Sequence, residues 1–573
     1  MYLSGLLPLI HNLRGYDELV GAIRSAVAQQ SGTLSLSVLE SARPYLLAGL
    51  REGLGVPILV ITTRRDRARK IFEQLTIWSA SREGILLFPE PDVLSYERIP
   101  WDRGITQDRL ATLARLVNDE HGADGPPMFV VASVRALLQK TVPREQFEGH
   151  VEHLAVGQAI TIGELLTTLY GLGYERTTVV EDTGTFSARG GIVDVYTAHS
   201  DQPVRIEFFG DEIESLRLFD ASTQRSVESI LSAVVTPARE AFPLSVEKDD
   251  GGQALDLASC HPEVADEFRE DLQALSNREV FDTLEFYIPY LYEEPGMLVD
   301  YMPRQTLVVL EDPVGLEAMV ANLDVQNVGL RHELTQKGEL PQGVQSPHFA
   351  WSAVQHRFDE HARLEFGYDT ATDLAVNDSF VAGAAYAGRL QDVIADSLEM
   401  MENGWPVVIV SRQTPRLAEL YEDWGLIVQP VEEIVAPPQE GSLTLLQGNL
   451  VSGWRMRQTD GGSITLLTDG EIFGWLKPEP RRPYRPKALP PESYFADIAP
   501  GDYVVHIEHG IGTFRGLVRL DVDQAQREYL QIDYAAGDKL YVPTYQGDRV
   551  NRYVGAKAEP PRIDRLGTAH WSR

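Results

Sequence analysis

The sequence predicts a multidomain chain of α/β and α+β units, and three observations lead to this fold class. The chain has 573 residues, and domains of about 100–200 residues would divide it into three to five. Apolar runs of strand length alternate with helical periodicity in the first 149 residues and again over 376–470, as in parallel sheets. Residues 150–245 and 496–556 instead alternate apolar and polar side chains, which is typical of antiparallel strands with one solvated face.

Composition limits the partners that the chain can have. Lys and Arg number 51 against 84 Asp and Glu, a net charge of −33, which opposes contact with DNA phosphates over most of the surface and favours protein partners. The same acidity could simply maintain solubility. No apolar run approaches the ~20 residues of a membrane span, and no basic n-region precedes the apolar start. One cysteine excludes an intrachain disulfide, so we expect a cytoplasmic protein without a membrane role.

The first domain, residues 1–149, is predicted to be a layered α/β unit. Residues 13–29 place four apolar side chains on one helical face, and strand-length apolar runs follow at 58–61, 85–88 and 128–132. Residues 246–360 are predicted to return to this domain, because the run from Thr306 to Leu310 has the character of a further buried strand.

The other boundaries follow changes of pattern. Residues 150–245 form an α+β insert, residues 376–470 a separate α/β domain, and residues 471–495 a basic linker that prolines keep from being helical. A small β-barrel over 496–556 comes next, before the last residues, 557–573.

The chemistry expected of a motor ATPase is missing from the sequence. The phosphate-binding pattern G-x-x-x-x-G-K-[ST] does not occur, and residues 34–50, where it would stand in the first domain, contain no Gly-Lys pair. The acids Glu311 and Asp312 resemble a magnesium-binding strand end, but without a phosphate loop we expect them to be solvated. A metal site at His506–His509 is not expected, because alternation in a strand would keep the ligands apart.

One group of side chains in the insert has the composition of a protein interface. Arg176 and Arg189 flank Phe186, which we expect to be exposed. Arginines bind carboxylates through two hydrogen bonds, and aromatic rings fill pockets on a partner. The alternative is that both arginines form local salt bridges with Glu175, Glu181 or Asp182.

Several segments, in order along the chain, resemble the bacterial transcription-repair coupling factor (Mfd) family. SARGGIVDVY and RIEFFGDEIESLRLFD resemble the insert that this family shares with the excision-repair protein UvrB. PDVLSYERIPWDRG and FYIPYLYEEPGMLVDYMP resemble segments of the family's first domain. GDYVVHIEHGIGTFRGL and EYLQIDYAAGDKLYVP resemble its RNA-polymerase-interacting module, which UvrB lacks.

The resemblance implies a fold and two partners. The first domain would be helicase-like without a phosphate loop, and the terminal module a Tudor/CarD-like barrel. The insert would bind UvrA through Arg176, Phe186 and Arg189, although UvrB carries a further arginine where this chain has Ser187. The terminal module would bind the β subunit of RNA polymerase through an edge strand around Val504, Val505, His506 and Ile507.

The resemblance also implies what this part of the family does not do. Family members continue into an ATP-dependent translocase, so we expect ATP, magnesium and DNA contact to belong to that motor and this chain to have no cofactor and no enzymatic activity. Residues 557–573 would begin the connection to it. Two other functions remain possible from the sequence: a polymerase-binding transcription regulator without a repair role, and a DNA helicase subunit.

Overall fold

A computed structural model describes residues 2–79, 81–118, 128–242, 255–367, 374–474, 500–506, 510–522, 525–535, 538–543 and 550–552. The chain divides into two compact units, Met1–Pro480 and Arg481–Arg573. Among the helices of these residues, none combines the length and the apolar character that crossing a membrane requires.

The helices and strands of the first unit follow the chain in four groups. The first group is α1 (Tyr16–Gln29), β1 (Thr33–Leu36), α2 (Arg43–Leu54), β2 (Ile58–Thr62), α3 (Arg65–Trp78), β3 (Ile85–Phe88), α4 (Arg103–Asn118), β4 (Phe129–Ser133), α5 (Val134–Leu138) and α6 (Arg144–Glu148). The second group is β5 (Glu152–Ala155), α7 (Ile162–Gly171), β6 (Glu175–Arg176), β7 (Thr185–Arg189), β8 (Ile192–Tyr196), β9 (Val204–Phe209), β10 (Glu212–Phe219), β11 (Ser226–Ile230) and β12 (Ser232–Val235).

The third group is α8 (Pro262–Ser276), α9 (Ile288–Leu291), β13 (Leu307–Glu311), α10 (Pro313–Gln336), α11 (Trp351–Phe358) and β14 (Ala362–Phe366). The fourth group is β15 (Phe380–Val381), α12 (Leu390–Glu402), β16 (Val407–Ser411), α13 (Thr414–Asp423), β17 (Leu443–Gln447), β18 (Trp454–Arg457), β19 (Ser463–Thr468) and α14 (Asp469–Phe473). The second unit contains β20 (Tyr503–His506), β21 (Gly510–Val522), β22 (Ala525–Asp533), β23 (Lys539–Pro543) and β24 (Val550–Arg552).

The first sheet is parallel and has the order β1-β14-β13-β2-β4-β3. Its central strand β2 is buried on both faces: Ile58 and Val60 belong to one apolar core, whereas Leu59 and Ile61 belong to another. Such double coverage is why β2 is an unbroken apolar run rather than an alternating one. Strand β13 pairs in parallel with β2, with Leu307 opposite Ile58, so the chain re-enters this sheet after the insert.

Three further sheets lie in the described part of the first unit. Strands β6 to β11 form a sheet whose order follows the sequence, and β5 pairs with β12 beside it. The fourth group of elements forms a five-stranded mixed sheet of order β15-β18-β19-β16-β17, in which β16 pairs in parallel with both β19 and β17. The chain is therefore a multidomain, mixed α/β protein.

The second unit contains a five-stranded antiparallel sheet of order β23-β22-β21-β20-β24. Its core includes Val504, Phe514, Leu530 and Ile532. Closure of this sheet into a Tudor/CarD-like barrel stays a prediction, as do the domain boundaries drawn from the sequence.

Candidate partner-binding surfaces

The insert sheet is covered by one helix on one face. Helix α7 begins with a capping box, in which Thr161 accepts a hydrogen bond from the Glu164 amide and Glu164 accepts one from the Thr161 amide. Leu165 and Leu169 of α7 then pack against Phe186 and the neighbouring strands. The other face of the sheet carries mostly polar side chains, so each strand alternates between an apolar core side and an open side.

Phe186 lies on the core side, and the expectation that it is exposed is wrong. Its side chain is 0% exposed and packs edge to face against Tyr170, with ring centroids 5.1 Å apart. Alternation along β7 accounts for this: Phe186 faces α7, whereas Ser187 and Arg189 point to the other side. Because it is fully covered, Phe186 supports the surface from beneath.

Arg176 and Arg189 are both exposed and lie at the same edge of the sheet. Arg176 belongs to the edge strand β6, next to Phe186 in register. The Arg189 guanidinium donates a hydrogen bond to the Thr178 carbonyl, two residues beyond Arg176. Both arginines therefore flank the short segment that borders the sheet.

The alternative, in which Arg176 and Arg189 form local salt bridges with neighbouring acids, is not observed among the described residues. Glu175 pairs instead with Arg103 of α4, and neither Arg176 nor Arg189 has a carboxylate partner within the described part of the chain. Both guanidinium groups thus keep donors directed to solvent, where a partner's carboxylate could accept them.

The remaining charges of the open face are neutralised within it. Arg205 binds both oxygens of Asp194, at 2.8 and 2.9 Å, and lies over the Phe219 ring at 4.7 Å. Arg217 lies 3.3 Å from the Glu207 carboxylate, which also accepts a hydrogen bond from Ser215. Arg189 is thus distinguished from the other arginines of this face by its lack of an ion pair among the described residues.

Two arginine–carboxylate pairs, one fully buried and one partly buried, fix the end of the insert to the first domain. Arg109 and Glu240 are both 0% exposed and form a bidentate pair, with Nη2 2.9 Å from Oε2. Arg239 forms a second bidentate pair with Glu285, with Nε 2.8 Å from Oε1. Sequence reasoning missed both pairs, because a lone arginine gives no signal of a partner 131 residues away, as for Arg109, or 46 residues away, as for Arg239.

The strand end at Glu311 also differs from its sequence interpretation. Glu311 is 5% exposed, so the expectation of a solvated acid is wrong. Its carboxylate lies 3.4 Å from the Arg43 guanidinium and accepts a 2.8 Å hydrogen bond from Arg67. Asp312 instead caps α10 by accepting a hydrogen bond from the Gly315 amide. The carboxylate that resembled a magnesium ligand is therefore paired with two arginines, one from α2 and one from α3.

Within the described residues, no three or more His, Cys, Asp or Glu side chains come together in a way that could hold a metal ion. The sequence motif considered for this, His506–His509, falls largely outside them, because residues 507–509 are not described.

In the second unit, the strand expected at the edge of the sheet is an interior strand. Strand β20 pairs with β21 on one side and with β24 on the other, and Val504 is 0% exposed. Val505 and His506 belong to the same interior strand, while Ile507 lies outside the described residues. The edge assignment of Val504, Val505 and His506 is therefore wrong.

The described sheet instead ends at β23 and β24. Strand β23 has one paired neighbour, β22, and carries an exposed Lys539 and a Tyr541 that is 38% exposed. It is the longer of the two edge strands and carries an exposed aromatic side chain, so it is the better candidate for pairing with another chain.

Comparison with known proteins places these two surfaces in defined classes of domain. Residues 153–240 match the UvrB interaction domain, and residues 498–554 match the CarD-like/TRCF RID domain. The chain thus combines an insert of the UvrB interaction class with a terminal module of the class found in transcription-repair coupling factors.

Similarity to complete proteins extends over almost the whole chain. The chain is 29% identical to the transcription-repair-coupling factor of Bacillus subtilis (strain 168) and 28% identical to that of Myxococcus xanthus, over 93% of its own length and 46% of theirs. It is 24% identical to that of Staphylococcus aureus (strain MRSA252), over 95% of its length and 47% of that protein. The chain spans about half the length of these relatives. The resemblance to the N-terminal portion of transcription-repair coupling factors is confirmed.

Proposed function

We propose that this chain is an adaptor in transcription-coupled nucleotide excision repair. In this proposal, residues 150–245 recruit UvrA and residues 496–556 bind RNA polymerase at its β subunit. The presence of a UvrB interaction domain and a CarD-like/TRCF RID domain in one chain is the observation that carries it. A transcription regulator that only binds polymerase would have no use for the first of these domains.

The candidate contact with UvrA is the edge of the insert sheet. Arg176 and Arg189 are exposed there and, among the described residues, lack carboxylate partners. An exposed guanidinium already paired within the chain would have to exchange one partner for another, whereas these two can bind an acidic surface without such an exchange.

The test is a binding measurement between UvrA and this chain by surface plasmon resonance. Arg176→Ala and Arg189→Ala should each weaken binding at least tenfold, or about 1.4 kcal/mol, as arginines at an interface centre do. Arg269→Ala is the matched control, because Arg269 is exposed but paired with Asp266 on α8, outside the insert. Unchanged affinity in the Arg176→Ala/Arg189→Ala double variant would contradict the site. Failure of the unmodified chain to bind UvrA would contradict the function.

A further inference from the structure

An exposed aromatic side chain lies at the end of the hairpin formed by β9 and β10. Phe209 is 78% exposed, the highest value for an aromatic residue among the described residues. Beside it, Ile192 at the start of β8 is 37% exposed. A single exposed apolar residue is ordinary, but adjacent ones on one face indicate a contact surface.

Strand register brings these residues next to Arg189. Arg189 stands opposite Ile192, and Ile192 stands opposite Glu207, two residues before Phe209. Directly opposite residues in antiparallel strands have Cβ atoms about 5 Å apart. Because Ile206 and Phe208 pack into the core with α7, Glu207 and Phe209 project from the open face, as Arg189 and Ile192 do.

A glycine lets the two hairpins pair as far as their ends. The Phe208 amide donates a 2.8 Å hydrogen bond to the Gly191 carbonyl. A Cβ atom at Gly191 would lie 3.3 Å from the Phe208 carbonyl oxygen, so a side chain there would press on the neighbouring strand. The close approach at Gly191 therefore keeps the side chains of Arg189, Ile192 and Phe209 on one continuous strip.

The charges along this strip favour an acidic partner with an apolar pocket. Glu207, which lies between Ile192 and Phe209, is already engaged by Arg217 and Ser215. Arg189 donates only to a backbone carbonyl among its described contacts, so no carboxylate of the described residues neutralises its charge. The strip thus offers one cation beside two apolar side chains.

We propose that the surface that contacts UvrA extends from Arg189 across Ile192 to Phe209. This inference rests on the proposed function and adds to it the aromatic anchor that the sequence had assigned to Phe186. Phe209 enters an apolar pocket of the partner, and a carboxylate at the rim of that pocket accepts hydrogen bonds from Arg189. Exclusion of water by the aromatic ring strengthens the charged contact beside it.

The experiment compares UvrA affinity for Phe209→Ala, Phe209→Leu and Val227→Ala at low and high salt. Phe209→Ala should weaken binding at least tenfold at both salt concentrations, because burial of apolar surface is not screened, whereas the loss in Arg189→Ala should shrink as salt rises. Phe209→Leu should retain most of the affinity. Val227 is 60% exposed on β11 at the far edge of the sheet, so Val227→Ala should bind as the unmodified chain does.

The melting temperature serves as the folding control, and it should not change in Phe209→Ala, since so exposed a ring loses little burial. Unchanged affinity in Phe209→Ala, together with weakened binding in Arg189→Ala, would overturn this inference and leave the proposed function intact. A loss equal in Phe209→Ala and Val227→Ala would also overturn it.

Discussion

At the scale of single residues, the charge pair between Arg109 and Glu240 is the most deeply buried ionic contact described in the chain. The guanidinium also donates a 2.8 Å hydrogen bond to the Pro89 carbonyl and lies 4.0 Å from the centre of the Phe88 ring. The Thr141 hydroxyl donates to the same carboxylate. All three guanidinium nitrogens and both carboxylate oxygens of the pair therefore take part in hydrogen bonds, as the burial of two charges requires.

Removal of one member of this pair should destabilise the chain strongly. Arg109→Met leaves the Glu240 carboxylate buried without its cation, which should lower the free energy of unfolding by about 3–5 kcal/mol. The shift of the urea denaturation midpoint measures this. Arg269→Ala, at an exposed pair, should cost less than about 1 kcal/mol. A loss of similar size in both variants would show that Glu240 gains water or another partner when Arg109 is removed.

Buried histidines should make stability depend on pH. Burial, assisted by the nearby Arg135 and Lys140, lowers the pKa of His348 to about 3, and burial with Arg115 lowers that of His199 to about 4. Both are therefore neutral in the folded chain. In the unfolded chain each has a pKa near 6.5. The contribution of the two histidines to the free energy of unfolding is complete above pH 6.5. It declines as the pH falls towards 4, because the unfolded chain then binds protons that the folded chain does not.

Below pH 6.5, the free energy of unfolding should fall by about 1.4 kcal/mol per pH unit for each histidine. His348→Gln should therefore show a smaller fall in melting temperature between pH 7.5 and pH 5.0 than the unmodified chain. Equal falls in both proteins would mean that His348 gains a proton in the folded state over this range.

At the scale of elements, strands could be located from the sequence, but their positions in a sheet could not. The apolar run at Ile58 and the alternating run at Tyr503 both form strands where the sequence places them. Strand β20 was nevertheless expected at an edge, and it lies between two neighbours. Its second neighbour is β24, which starts at Val550, and nothing in the local sequence of β20 encodes that pairing.

This correction moves the predicted polymerase contact to β23. An exposed edge strand can bind a partner by adding one strand to the sheet, with main-chain hydrogen bonds for affinity and side chains for selectivity. Tyr541→Ala should therefore weaken binding to RNA polymerase at least tenfold, measured by surface plasmon resonance against the purified enzyme. Leu517→Ala is the control, because Leu517 is 43% exposed but belongs to β21, an interior strand. Loss in Leu517→Ala alone would indicate contact through the sheet face instead.

At the scale of the whole molecule, the two compact units carry the two proposed binding surfaces separately. Substitutions at one surface should therefore leave binding at the other unchanged. Arg176→Ala/Arg189→Ala should bind RNA polymerase with unchanged affinity, and Tyr541→Ala should bind UvrA with unchanged affinity. Parallel losses of both activities, in a variant whose melting temperature is unchanged, would contradict the assignment of the two partners to separate surfaces.

The same chain should not turn over ATP. Residues 34–50 lack the phosphate-binding pattern, and the Glu311 carboxylate that would hold magnesium is paired with Arg43 and Arg67. A coupled assay of phosphate release, with and without DNA, tests this expectation. A rate of phosphate release above that of a blank without protein would favour the helicase alternative.

Local pattern alone was sufficient for the mixed α/β class, for β2, β3, β4 and β13 of the first sheet, though not for β1 and β14, and for the resemblance to transcription-repair coupling factors. The sequence could also have predicted that the insert has an exposed aromatic side chain, since Phe208 and Phe209 are adjacent in a strand and must face opposite sides. Tertiary structure alone decided which of the two is covered by α7, which strand is an edge, and that Glu311 and Glu240 are paired with arginines. Burial and pairing depend on contacts between residues far apart in the chain, whereas periodicity records only which faces of an element differ.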